Sequence, residues 1–228
     1  MLVRRDTRRA ASSDGVVRAQ PSRCPEASCV VVFIRMVSRA PTVFTEVEYL
    51  ALEAASDTKH EFVDGAIVAM AGASPAHNAL AANMTASLRA LSRGKPCVTL
   101  TSDQRIHVPT TGLYTYADVL VACGERRYKS GPPASILNPM VVVEVTSDST
   151  EDYDRGKKFV NYQSIPELRD YVIVSHRERR IDHYRRAEGG EWIVATHTTL
   201  DSRIALTGLD GTLTLGDIYD GVDLAEGA

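Results

Sequence analysis

Two carboxylates stand inside apolar runs of this sequence, where acidic side chains are unusual. Glu144 interrupts the run Met140–Val145, which otherwise has the composition of a strand buried on both faces. Asp118 interrupts the run Tyr116–Val121 in the same way. A buried carboxylate is costly without a partner, and two acids on neighbouring strands suit a divalent cation such as Mg²⁺. Each acid also has a structural interpretation: Glu144 as the partner of an Arg or Lys on a neighbouring helix, and Asp118 as an acid at a strand edge or turn.

A lysine at helical spacing is the third candidate. Asp154, Lys158 and Tyr162 recur every four residues, so they share one face of a helix predicted over about residues 151–164. This spacing directs Lys158 toward the strand of the buried glutamate and Lys157 toward the more polar side. The alternative interpretation is an ion pair between Lys158 and Asp154 on the same helix.

These residues carry a resemblance to a known family. The matching positions are Asp118, the run Glu144-Val145-Thr146-Ser147, the run Asp154-Arg155-Gly156-Lys157-Lys158-Phe159, and Tyr162. They resemble the PD-(D/E)XK nuclease superfamily and, more closely, a large bacterial family described as restriction endonucleases, abundant in cyanobacteria and actinobacteria. The resemblance covers roughly Thr45 to Asp220 and is most specific from Val142 to Tyr162.

Two positions depart from the superfamily pattern. Ala117 replaces the proline that usually precedes the aspartate, and Thr146 replaces the lysine two residues after the glutamate. In the bacterial family the lysine lies on the following helix, and Lys158 is the position that matches it. This assignment agrees with the helical spacing of Lys158.

The resemblance implies a restriction-endonuclease-like core and metal-assisted hydrolysis of phosphodiester bonds, with Mg²⁺ or Mn²⁺ as the cofactor. Asp118 and Glu144 would bind the metal, and the backbone carbonyl of Val145 would be a third ligand. The metal would polarise the phosphate and lower the pKa of a bound water. Lys158 would orient that water or balance the charge that develops on the phosphate.

Four further residues are weaker candidates. Glu61, expected to be half-buried on a hairpin, is a catalytic candidate, although a cross-strand ion pair is at least as good an interpretation. His77 lies on the apolar face of the first long helix, where a core histidine with satisfied hydrogen bonds is the favoured interpretation, although the family places a histidine here near the site. Asp154 and Tyr162 are accessory candidates on the helix of Lys158.

The elements that must position these residues follow the pattern of an α/β fold. The predicted order is a helix capped by Thr45, a hairpin over Lys59–Met70 that turns at Asp64-Gly65, a helix that begins at Ser74-Pro75, strands at Val98–Thr101 running into Arg105–Val108, Tyr116–Val121 and Met140–Val145, the helix of Lys158, a strand at Leu168–Val174, a hairpin of Arg180–Arg185 with Glu191–Thr196, and a short helix near Asp217–Tyr219. We predict a mixed central sheet flanked by helices, with additional β-hairpins, in one domain over residues 41–228.

The first 40 residues differ from the rest. They hold eight Arg, no Lys and three acids, a net charge of +5, so the remaining residues carry −8 of the chain's total of −3. We predict a disordered tail or an over-extended start with Met36 as the initiator, although an organelle transit peptide has a similar composition. The acidic charge of residues 41–228 disfavours a pure nucleic-acid-binding module.

The cysteines and the apolar runs bear on the compartment. Cys24, Cys29, Cys97 and Cys123 have no metal-ligand spacing, and we interpret all four as reduced thiols of a cytoplasmic protein. No apolar run approaches the roughly 20 residues of a membrane-spanning helix, so we expect no membrane partner.

The sequence therefore predicts a Mg²⁺- or Mn²⁺-dependent DNA endonuclease. A homodimer is expected, because cutting two strands favours two sites. One alternative is a non-catalytic DNA-binding or regulatory module that retains the fold. Another is a structural core whose buried acids are merely paired.

Overall fold

The structure, a computed structural model, describes residues 43–70, 72–131, 133–148 and 150–224. These residues belong to one compact unit. The predictions for residues 1–40, and those for Cys24 and Cys29, lie outside the described part of the chain.

The predicted helices are present and begin at or within two residues of the predicted positions. They are α1 (Glu46–Ala55), α2 (Pro75–Ser92), α3 (Glu151–Tyr153), α4 (Phe159–Tyr162) and α5 (Leu215–Ile218). A π-helical segment, Asp154–Lys158, joins α3 to α4, and we call the continuous run from Glu151 to Tyr162 the interrupted helix. Within the described residues, none of these helices has both the length and the hydrophobicity needed to cross a membrane.

Six strands form a first sheet. Their order is β2 (Ala66–Ala69), β1 (His60–Val63), β5 (Leu113–Tyr116), β4 (Arg105–Val108), β8 (Ser135–Ile136) and β7 (Tyr128–Lys129). The predicted turn between β1 and β2 is confirmed, with Val63 paired to Ala66 and Glu61 to Val68. Asp64 and Gly65 both have positive φ, at 48° and 80°. This conformation fits the right-handed twist of a two-residue hairpin and explains why Asp-Gly occupies the turn.

A second six-stranded sheet carries the buried acids. Its order is β12 (Trp192–His197), β11 (Ile181–Arg186), β10 (Asp170–Val174), β9 (Val141–Val145), β6 (Val119–Cys123) and β3 (Cys97–Thr101). Within it β9 and β10 are parallel, and the other neighbours are antiparallel. One face packs on α2 and on a separate hairpin of β13 (Arg203–Leu206) and β14 (Gly211–Thr214). The other face packs on the interrupted helix and the first sheet.

The α/β class and the mixed strand directions are confirmed, but two details of the prediction are wrong. The strands form two six-stranded sheets instead of one central sheet, and β3 and β4 lie in different sheets. The single strand predicted over Tyr116–Val121 is two strands, because β5 ends at Tyr116 and β6 begins at Val119. Ala117 and Asp118 form the link by which the chain passes from the first sheet to the second.

The interpretation of the cysteines as reduced thiols is wrong for Cys97 and Cys123, which form a disulfide. They are directly paired residues on the antiparallel strands β3 and β6, and their Cα atoms are 4.0 Å apart. Opposite positions on neighbouring strands bring two side chains together although 26 residues separate them in sequence. The sequence spacing alone gives no indication of this pairing.

A buried aspartate ties the interrupted helix to the second sheet. Asp182 on β11 is 2% exposed and accepts hydrogen bonds from Arg155, from Arg180 at 3.1 Å and from Thr196 at 2.6 Å. Burial raises the pKa of Asp182, but the hydrogen bonds from Thr196 and the two arginines outweigh it and bring the pKa below the usual 3.8. The folded protein therefore favours the ionised form.

We expect Asp182→Asn to lower the free energy of unfolding at pH 7 by about 2 kcal/mol, because hydrogen bonds to a charged group are lost. A depressed carboxyl pKa stabilises the folded state at pH values above 3.8, and this contribution is lost as the pH falls through the lowered value. Urea unfolding at pH 7 and near pH 3 measures the difference. The exposed Asp201→Asn is the control, and equal effects of the two variants at pH 7 would contradict the prediction.

Candidate functional site

The two buried acids of the sequence lie close together at the end of the second sheet. The β6–β9 pairing ends at Val119 and Val143, and Asp118 and Glu144 are the residues next to this last pair. The two carboxylates are close enough for the charge of Asp118 to raise the pKa of Glu144. Side chains alternate between the two faces of a strand, so Glu144 points away from the face of Val143 and Val145. It points to the face that packs on the interrupted helix.

Where the pairing of β6 and β9 ends, the side chain of Asp118 replaces a backbone carbonyl as the hydrogen-bond acceptor for β9. Its Oδ2 accepts a hydrogen bond of 2.7 Å from the amide of Val145, and the same oxygen lies 3.4 Å from Nε2 of His77. The side chains of Asp118 and His77 are 17% and 13% exposed, so this pair is more open to solvent than Glu144, at 4%. Asp118 thus lies on the solvent side of the acidic pair.

Lys158 is the centre of the arrangement. Its Nζ lies 3.0 Å from Glu144, 3.3 Å from Glu61 and 3.6 Å from Asp154, and its side chain is 5% exposed. Nζ also donates a hydrogen bond of 3.2 Å to the carbonyl of Tyr116, the last residue of β5 before the chain changes sheets. One buried ammonium therefore contacts groups from the first sheet, the second sheet and the interrupted helix.

Negative charge exceeds positive charge at this site. Burial raises the pKa of Glu144 well above its usual range despite the attraction of Lys158, and the charges of Asp154 and Asp118 raise it further. Burial likewise raises the pKa of Asp154. For Lys158, burial lowers the pKa, but the carboxylates around it raise it well above the usual value, so the lysine stays charged.

His77 is coupled to the acidic pair and does not behave as a satisfied core histidine. Burial lowers its pKa, but the hydrogen bond and charge of Asp118, with the carbonyl of Val145, outweigh burial and raise it. Its Nδ1 atom is buried and has no hydrogen-bond partner among the described residues. The histidine is thus oriented toward Asp118 and the backbone of β9.

Hydroxyl groups hold two of the acids in place. Tyr162, fully buried on α4, donates a hydrogen bond of 3.0 Å to Glu144, and Thr115 on β5 donates one to Glu61. Tyr171 on β10 donates a hydrogen bond of 2.8 Å to the backbone carbonyl of Asp154. Tyr162 was a candidate from its helical spacing, whereas nothing in the local pattern of Thr115 or Tyr171 identifies them.

The structure brings together every residue singled out in the sequence: Asp118, Glu144, Val145, Lys158, Glu61, His77, Asp154 and Tyr162. Two of the structural interpretations also hold, since Glu144 is paired with a lysine and Lys158 with Asp154. Lys157 points away from the site and forms an exposed ion pair with Asp64. In the described part of the chain, no three or more His, Cys, Asp or Glu side chains are arranged to hold a metal ion.

Comparison with known proteins connects this site to a family. Residues 47–215 match the Uma2 family model, described as "putative restriction endonuclease". Two uncharacterized proteins of Synechocystis sp. strain PCC 6803 are similar: slr1290 is 37% identical over 77% of this chain and 90% of its own length, and sll1609 is 30% identical over 70% of this chain and 90% of its own.

A solved structure supports the fold. The crystal structure of a "putative nuclease belonging to DUF820" from Anabaena variabilis ATCC 29413 matches with a TM-score of 0.59 and 12% identity. The match covers 72% of this chain and 91% of that one. At this identity the similarity bears on the fold alone.

Proposed function

We propose that this chain, which belongs to the Uma2 family of "putative restriction endonucleases", is a metal-dependent endonuclease that hydrolyses phosphodiester bonds in DNA. The observation that carries the proposal is the buried pair of Lys158 and Glu144, 3.0 Å apart, with Asp118 near enough for its charge to act on Glu144. The two acids and the lysine come from the link between β5 and β6, from β9 and from the interrupted helix, and all three lie at positions that carry the resemblance to the family.

The donor set fits a small divalent cation. Mg²⁺ usually takes one or two protein carboxylates and completes its shell with water and phosphate oxygens. Asp118, Glu144 and the carbonyl of Val145 would supply only part of the coordination shell. This set has two side-chain ligands, fewer than a site built from three acidic or histidine side chains. Burial and the charges of Asp154 and Asp118 raise the pKa of Glu144, and a bound cation would favour its ionised form.

The side chains of this chain have distinct roles in the proposed reaction. Bound metal would polarise the phosphate and supply a water of lowered pKa. Lys158 stays charged, as the direction of its pKa indicates, and stabilises negative charge on the phosphate or orients the attacking water. Tyr162 holds the Glu144 carboxylate by a hydrogen bond, and His77 orients Asp118. Glu61 shares Lys158 with Glu144 and limits where the ammonium can move.

Double-strand cleavage favours two sites, so we propose a homodimer on DNA with Mg²⁺ or Mn²⁺. A cytoplasmic location stays a prediction, and the disulfide of Cys97 and Cys123 removes the argument from reduced thiols on which it was based.

The proposal is tested with supercoiled plasmid and Mg²⁺ or Mn²⁺. The parent is compared with Asp118→Ala, Glu144→Ala and Lys158→Ala, and with Lys157→Ala as the matched control, because Lys157 is exposed and turned away from the site. We expect metal-dependent nicking in the parent and the control, and its loss in the three site variants. Nicking that survives in all three would refute the site, and a parent that is inactive but stabilised by metal would refute DNA as the substrate.

A further inference from the structure

The interrupted helix departs from α-helical geometry at the point where it meets the site. Its π-helical segment begins at Asp154 and ends at Lys158, and both terminal residues are buried and contact each other at 3.6 Å. A π-segment is less favourable than the α-helix that surrounds it and occurs frequently at functional sites. Some contact outside the helix must therefore favour it here.

One residue of the neighbouring sheet contacts both ends of this segment. Tyr171 on β10 is fully buried, and its hydroxyl donates a 2.8 Å hydrogen bond to the backbone carbonyl of Asp154 at the start. Its ring stacks on Phe159, the first residue after the segment, with ring centres 5.2 Å apart and planes at 10°. The rigid side chain of Tyr171 therefore fixes the distance between the start of the segment and the residue that follows it.

We propose that Tyr171 is a positioning residue that holds the π-segment, and thereby holds Lys158 against Glu144 and Glu61. Lys158 is the last residue of the segment, so its ammonium reaches the acids only while the extra width of the π-turn is maintained. Tyr171 touches none of the three charged groups through its hydroxyl and acts on them through the backbone. Its importance for catalysis rests on the proposed nuclease function, whereas its effect on Lys158 does not.

The chain provides a matched control in the same aromatic cluster. Tyr184 on β11 packs on Phe159 at 4.5 Å and on Tyr171 at 5.7 Å between ring centres. Its hydroxyl forms no hydrogen bond with any of the described residues. Tyr171→Phe and Tyr184→Phe therefore remove the same atom from the same cluster, but only the first removes a contact with the π-segment.

The test is acetylation of the folded, metal-free protein with acetic anhydride, followed residue by residue by mass spectrometry. We expect Lys158 to be acetylated about fivefold faster in Tyr171→Phe than in the parent, which is the change expected for the loss of one buried hydrogen bond. Lys158 in Tyr184→Phe should react at the parental rate, and the exposed Lys157 at one rate in all three proteins. If a variant were to unfold, every buried lysine would be acetylated faster. Faster acetylation of the part-buried Lys129 would therefore reveal unfolding.

Activity gives an independent readout if the parent cleaves plasmid. Tyr171→Phe should then lower kcat about fivefold with KM unchanged, and Tyr184→Phe should not. Equal acetylation of Lys158 in the three proteins would overturn the proposal even if cleavage is real. Faster acetylation in a protein without nuclease activity would support the positioning role and reject only the proposed reaction.

Discussion

Replacing Lys158 with methionine is expected to lower the free energy of unfolding by about 3–5 kcal/mol at pH 7, the cost of removing one partner from a buried ion pair. Three carboxylates, those of Glu144, Glu61 and Asp154, lie within 3.6 Å of its ammonium and would be left buried without a cation. The aliphatic part of the side chain is retained, so the loss reports on the charge. Urea unfolding of the metal-free protein measures it.

The neighbouring lysine is the control for this prediction. Lys157 forms an exposed pair with Asp64, so Lys157→Met should cost less than about 1 kcal/mol. The effect of Lys158→Met should also shrink toward pH 4.5. The charge of Lys158 lowers the pKa of Glu144, so this pKa is higher in Lys158→Met than in the parent. The folded variant therefore takes up a proton at higher pH and recovers stability relative to the parent as the pH falls. Equal costs for the two lysines, or a cost independent of pH, would show that the carboxylates do not depend on Lys158.

The second large effect concerns Glu144 and the metal. We expect the parent to gain about 5–10 °C in Tm when Mg²⁺ or Mn²⁺ is present at about 100 times its Kd, and Glu144→Gln to lose that gain. Because metal binding supplies several kcal/mol to the reaction, and each 1.4 kcal/mol is tenfold in rate, cleavage by Glu144→Gln should fall by about two orders of magnitude or more. Thermal melts with and without metal and plasmid cleavage measure the two effects.

A second buried glutamate makes the comparison specific. Glu53 is 6% exposed and is held by Tyr116 and His60 outside the acidic pair. Glu53→Gln should keep the metal-dependent gain in Tm. A parent that shows no gain in Tm, together with a Glu144→Gln variant that is as stable as the parent or more so, would favour the alternative in which the acids are merely paired.

The parts of the site that follow from local pattern could be predicted from the sequence. An acid within a run of valines needs a compensating partner, and this argument identified Glu144, whereas helical spacing identified its partner Lys158. Four-residue spacing put Asp154, Lys158 and Tyr162 on one face, and all three are buried toward the sheet although a π-segment lies between them. Helical periodicity cannot predict the π-segment itself, because a contact from a tyrosine on β10 favours it.

The features that were missed depend on contacts between distant segments. The break between β5 and β6 arises where the carbonyl of Tyr116 binds Lys158 and the carboxylate of Asp118 binds the amide of Val145. An apolar run cannot reveal such a break, since both halves remain buried. The disulfide of Cys97 and Cys123 likewise depends on the register of two strands, which their sequence spacing does not determine.

The two-residue link at Ala117 and Asp118 has a consequence for the opening motions of the protein. Glu61 and Thr115 belong to the first sheet, Glu144 to the second and Asp118 to the link between them, so the site exists only while both sheets are closed. A sheet is a natural unit of cooperative opening, and a ligand that binds only the closed form suppresses the opening of each unit that contributes to it. Occupation of the site should therefore slow amide hydrogen exchange in β1 and β5 as well as in β6 and β9. The candidate site thus also makes the stability of one sheet depend on that of the other.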